Sequence, residues 1–141
     1  YPAPTESIAL GEVGVYGEGK QIAIMTYANG YYLSRQAEKI LREHHGIELR
    51  IIDLRWLLPL PAASLIAALQ GVDKVLVVDE CRRSGNISES LMTWLDENLA
   101  APKARLTAED SFIATGPAYA TTLPSKESII AAVLDLAKPS T

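Results

Sequence analysis

Short, almost wholly apolar runs recur along this chain, each followed by residues whose apolar members repeat at helical spacing. That alternation restricts the fold more than any other feature. The runs are QIAIMTY at 21–27, ELRIIDL at 48–54 and KVLVV at 74–78. A strand with one wet face alternates apolar and polar residues, so a continuous apolar run must be covered on both faces. After the first run, Leu33, Ala37, Ile40, Leu41 and His44 form one helical stripe, with Glu38–Arg42 and Lys39–Glu43 spaced for ion pairs on the outer face. Gly46 stands where that helix should stop. After the second run, Pro61 can open a short helix carrying Leu65, Ile66 and Leu69. After the third, Ile87, Leu91, Trp94, Leu95 and Leu99 mark another helix, with Trp94 expected buried against the sheet. Residues 103–107 read as a short strand, and residues 108–124 lack periodicity. Ser125 is placed to cap a last helix with Ile129, Ile130, Val133, Leu134 and Ala137 inward. The expected fold class is therefore α/β: a mostly parallel sheet in a three-layer, doubly wound sandwich with right-handed crossovers.

The chain has 141 residues, enough for one domain with a sizeable core. Residues 1–7, with Pro2 and Pro4, read as a linker, 8–138 as the domain and 139–141 as a tail. The formal net charge is −4 and no basic run occurs, which argues against nucleic acid as a partner. No apolar run approaches the ~20 residues of a membrane span. No secretory signal opens the sequence. Cys81 is the only cysteine, so no internal disulfide can form, and a cytoplasmic location is expected.

Candidate chemistry is sparse. Gly11, Gly14, Gly17 and Gly19 precede the first buried strand, whereas a dinucleotide fingerprint follows one; they read as turns. Tyr27-Ala28-Asn29-Gly30 joins a strand to a helix, where free N–H groups could hold an anion, but one glycine and no nearby cation favour a capped turn. Asp79-Glu80 closes the KVLVV strand, at the edge where open α/β sheets place ligands. Without a histidine nearby, the pair reads as a hydrogen-bonded terminus or an interdomain contact. His44 and His45 are adjacent on a helix and point to different sides, a poor metal geometry. Cys81 lacks the spaced partners of a zinc site. No nucleophile elbow or phosphate loop is present. No catalytic, cofactor-binding or metal-binding residue is assigned.

Two connections stand out instead. The stretch IDLRWLLPLP, 52–61, places Trp56, Leu57, Leu58 and Leu60 in one loop, although loops are normally polar. Trp56, Leu57 and Leu58 are expected at an interdomain or subunit surface. The segment Cys81-Arg82-Arg83-Ser84-Gly85 leaves a strand just before a helix, and Arg82 and Arg83 are expected to be exposed contact residues.

The run IAIMTYANGYYLSRQAEKIL with GIELRIIDLRWLLPLP, then VLVVDE with its glycine-containing loop, then LPSKESIIAAV, resembles the C-terminal domain of transketolase-like thiamine diphosphate enzymes. The β-subunit type of the 2-oxo acid dehydrogenase decarboxylating component is the best match, over residues 6–137. The resemblance implies a five-stranded sheet with one antiparallel edge strand, for which residues 12–16 are the candidate. It implies that thiamine diphosphate and Mg²⁺ belong to other domains of the parent enzyme, and that this domain supports homodimer assembly and docking of an acyltransferase core without being catalytic alone. The family often has Gly where Ala28 stands and Asp where Ala100 stands, and close members carry few basic residues like Arg82 and Arg83. The alternative reading is a standalone regulatory module that binds a small anionic ligand at the strand carboxyl ends.

Overall fold

The computed structural model describes residues 7–139; of the expected linker only Ser7, and of the tail only Pro139, fall within it. The strands are β1 (Gly14–Tyr16), β2 (Ile22–Thr26), β3 (Leu49–Asp53), β4 (Lys74–Arg82) and β5 (Lys103–Ala108). The helices are α1 (Ala28–His45), α2 (Ala62–Ala68), α3 (Ile87–Asn98) and α4 (Lys126–Ala137), with a 3-10 segment at Gly116–Thr121. The sheet has five strands in the order β1-β3-β2-β4-β5. All neighbours are parallel except β1, which runs antiparallel to β3.

Strand alternation divides the core in two. Ala23, Met25, Ile52, Val75 and Val77 point to the face covered by Leu65 and Ala68 of α2 and Leu91 and Leu95 of α3. Ile22, Ile24, Leu49, Ile51, Leu76 and Val78 point to the face covered by Ala37 and Leu41 of α1 and Ile129 and Val133 of α4. Both faces of the central strands are dry, which is why those runs are apolar without a break.

Three expectations change. The buried face of α1 is Gly30, Ser34, Ala37, Glu38 and Leu41, a stripe rotated from the expected one: Leu33 and Ile40 sit at its margins and His44 is exposed. Small residues let the helix lie close to the sheet, and a Cβ at Gly30 would collide with the Thr26 hydroxyl. Glu38 is consequently buried and pairs with Arg35 at 3.3 Å rather than with Arg42. Trp94 is half-buried against the main core instead of enclosed by it; it lines a hollow beside Ile66, Leu69 and Val72. Strand β4 runs on past Val78 through Asp79, Glu80 and Cys81 to Arg82.

The helix ends follow local chemistry. Gly46 takes φ 64°, the left-handed conformation, and its N–H and that of Ile47 both donate to the Leu41 carbonyl. Ser125 and Ser128 form a reciprocal capping box at the start of α4.

Candidate functional site

Helix α1 leaves β2 on one face of the sheet and α3 leaves β4 on the other, so the crevice between these two strand ends is the topological switch point. Here it is occupied by side chains of the chain itself. Asp79 is fully buried and its carboxyl group accepts from the Tyr27 hydroxyl (2.6 Å), the Cys81 N–H (2.9 Å) and the Ser88 N–H (3.2 Å). One carboxylate thus ties the end of β2, its own strand and the first turn of α3. The Asn86 side chain, at the N-cap of α3, donates instead to the Arg82 carbonyl, so Asp79 supplies an acceptor that the cap position does not. Burial first, and the bond to Asp79 second, hold the Tyr27 phenol far above the ordinary tyrosine range. The Cys81 thiol sits 3.7 Å from the same hydroxyl.

Tyr27 is the N-cap of α1 and gives it no side-chain cap, since capping takes a short polar side chain; its phenol reaches Asp79 instead. The expected capped turn at 27–30 is therefore an uncapped one. Ala28, next in the chain, is forced to φ 48°, a region that favours glycine.

Two connections project from this edge. In the β3–α2 connection Leu54 is buried and Leu57 and Leu60 pack onto the core, while Trp56 and Leu58 turn out to 38% and 76% exposure. Arg55 at its base also has φ 48°; its Nε donates to Asp53 (2.7 Å) and its NH2 group to the Tyr16 hydroxyl (2.8 Å). The bond to Asp53 raises the Arg55 pKa above its ordinary value. Of the residues expected at a surface, Trp56 and Leu58 are outward and Leu57 is mostly inward.

In the β4–α3 connection Arg82 and Arg83 are both exposed, and neither forms an ion pair with Asp79, Glu80 or any other described residue. The loop is latched to the segment after β5: Ser84 donates to Asp110 from its N–H (2.9 Å) and its hydroxyl (2.6 Å). Those bonds hold the Asp110 carboxyl below the usual carboxylate range. Arg82, Ser84 and Asp110 line an open hollow of about 480 Å³ with Phe112, which is 96% exposed. The periodicity of residues 108–124 gave no sign of this latch. Among the described residues no group of three or more His, Cys, Asp or Glu side chains could hold a metal ion. Among the described residues no helix is long and apolar enough to cross a membrane.

Comparison with known proteins agrees with this architecture. The chain is 29% identical over 133 residues to the pyruvate dehydrogenase E1 component subunit beta of Staphylococcus aureus and 27% identical to that of Bacillus subtilis. Each alignment takes in 92% of this chain and 41% of the relative, so the chain spans about two-fifths of the length of these relatives. A solved structure described as split gene transketolase, inactive beta4 tetramer, superposes with TM-score 0.81 at 21% identity, over 96% of this chain and 44% of that one. A 2-oxoglutarate:ferredoxin oxidoreductase from Magnetococcus marinus superposes with TM-score 0.67 at 19% identity, over 90% of this chain and 20% of that one. The family profile described as transketolase, C-terminal domain, matches residues 11–129, and the chain belongs to that family.

Proposed function

We propose that this domain serves a thiamine diphosphate-dependent enzyme of the 2-oxo acid dehydrogenase type, in assembly rather than in chemistry. The observation that carries the reading is the split in the β3–α2 connection. Leu54 sits in the core and Leu57 and Leu60 pack against it, whereas Trp56 and Leu58 turn outward. Large apolar side chains turned out of an ordered loop mark a contact surface. Trp56 and Leu58 are its apolar part, facing a second subunit or a neighbouring domain. Arg82 and Arg83, exposed on the β4–α3 connection, are charges suited to steering an acyltransferase core. The residues present do not fit the cofactor: the switch-point crevice is closed by the Tyr27–Asp79 bond, and among the described residues no group of His, Cys, Asp or Glu side chains could hold its metal. Thiamine diphosphate and Mg²⁺ would be held by other parts of the parent enzyme, in the cytoplasm. Sedimentation of the chain across a concentration series tests the assembly role. A homodimer is expected, displaced toward monomer by Trp56→Ser with Leu58→Ser. A monomer at every concentration would sink the proposal.

A further inference from the structure

Assembly leaves unused a cleft on the α1/α4 side of the sheet's carboxyl edge. It has a volume of about 270 Å³ and apolar walls from Leu33, Tyr119, Leu123 and Pro124. Three charged side chains, Glu80, Lys126 and Glu127, line the same space. Glu80 is half-buried and makes no hydrogen bond or ion pair among the described residues. Lys126 does not reach it, and pairs instead with its exposed neighbour Glu127 at 3.3 Å. An exposed pair of that kind is readily exchanged for a better partner.

These features select one ligand class. A purely apolar occupant would strip water from Glu80 and give nothing in return. A bare anion would meet the Glu80 and Glu127 carboxylates, and a bare cation would pair with Glu80 but leave Lys126 to its exposed pair with Glu127. A molecule with both charges and an apolar substituent engages Glu80 and Lys126 together, covers the apolar walls, and releases the exposed Glu127 to water. The volume lies at the lower end of small-molecule sites and is too small for a nucleotide. We infer that the cleft binds a 2-amino acid with an apolar side chain: its ammonium on Glu80, its carboxylate on Lys126, its side chain against Leu33, Leu123 and Pro124. The inference does not depend on the assembly role.

The test is an NMR titration of the ¹⁵N-labelled chain with L-leucine, leucinamide (the same molecule without its negative charge) and 4-methylpentanoate (without its positive one). L-leucine should give saturable shifts around Leu33, Glu80 and Leu123. Each analogue should bind about tenfold more weakly, as expected for the loss of one charge-assisted contact. Glu80→Gln should weaken leucine and leucinamide and spare 4-methylpentanoate; Lys126→Met should weaken leucine and 4-methylpentanoate and spare leucinamide. If either substitution disturbs the spectrum beyond the cleft, the analogue series on the unaltered chain decides alone. No saturable shift by about 20 mM leucine, a concentration well above any specific small-ligand Kd, would overturn the proposal. So would an analogue that binds as tightly as leucine.

Discussion

Asp79 and Glu80 are consecutive residues of one strand and lead opposite lives. Strand alternation turns Asp79 toward α3, where three donors meet it and water is excluded. The same alternation turns Glu80 toward α1 and α4, where it lines a cleft without a partner. The sheet's carboxyl edge is therefore sealed on one side and open on the other. In the sequence the two are simply an acidic pair. Their difference comes from what the pleat points them at.

The largest way to break this contrast is Asp79→Ala. It orphans the Tyr27 hydroxyl and the Cys81 and Ser88 N–H groups at a buried site, and should cost at least about 3 kcal/mol, since hydrogen bonds to a charged group contribute ~1.5–3 kcal/mol each. Asp79→Asn, which keeps acceptor capacity, should cost less. Chemical denaturation measures both. A loss below about 1 kcal/mol for the alanine would mean water replaces the hub, and that the side described as sealed is open after all.

Trp94 tests whether α3 is held mainly at its Asp79 end. It is only half-buried, so Trp94→Ala should cost about 1.5–2.5 kcal/mol, less than the ~3–5 of an enclosed tryptophan. A midpoint shift matching the higher range would show that the far end of α3 anchors it equally.

A smaller effect sharpens the account of how Tyr27 is aimed at Asp79. Directly after Tyr27, Ala28 sits at φ 48°, where a Cβ costs roughly 1–2 kcal/mol. Ala28→Gly should therefore stabilise the chain by about 1 kcal/mol, after some loss to the freer unfolded state. Destabilisation would mean that the alanine methyl packs usefully and the turn is unstrained. The same position illustrates what sequence reading can reach. The resemblance leads one to expect glycine where Ala28 stands, but the left-handed backbone there is not legible in the sequence.

Other features divide along similar lines. Ser125 as a cap and Gly46 as a stop are local rules acting over a few residues, and both are legible in the sequence. The buried strands were legible because they are covered on both faces. The rotated stripe of α1 was not, because Gly30 and Ser34 are buried for being small and not for being apolar. The last residues of β4 were hidden by their polarity. Asp79's role depends on Tyr27 and Ser88, brought together by the crossover of the chain, and no spacing rule connects them. The split of Trp56 and Leu58 from Leu57 and Leu60 is likewise invisible in a run where every residue is apolar.

The smallest expected effects concern Glu80 on the open side and the exposed arginines that follow it in the chain. Glu80 has no partner to lose, and Arg82 and Arg83 pair with nothing among the described residues. Glu80→Gln should therefore change stability by less than about 0.5 kcal/mol, the usual range for positions outside any network. Arg82→Ala with Arg83→Ala should stay in the same range on the fold itself. In association with a partner subunit or acyltransferase core, the double variant should lower the on-rate and flatten its salt dependence, because rim charges act chiefly on encounter. Stopped-flow association at low and high salt, run beside denaturation of the chain alone, separates the two effects. An unaltered rate and salt slope with a large stability loss would make the arginines structural rather than contact residues.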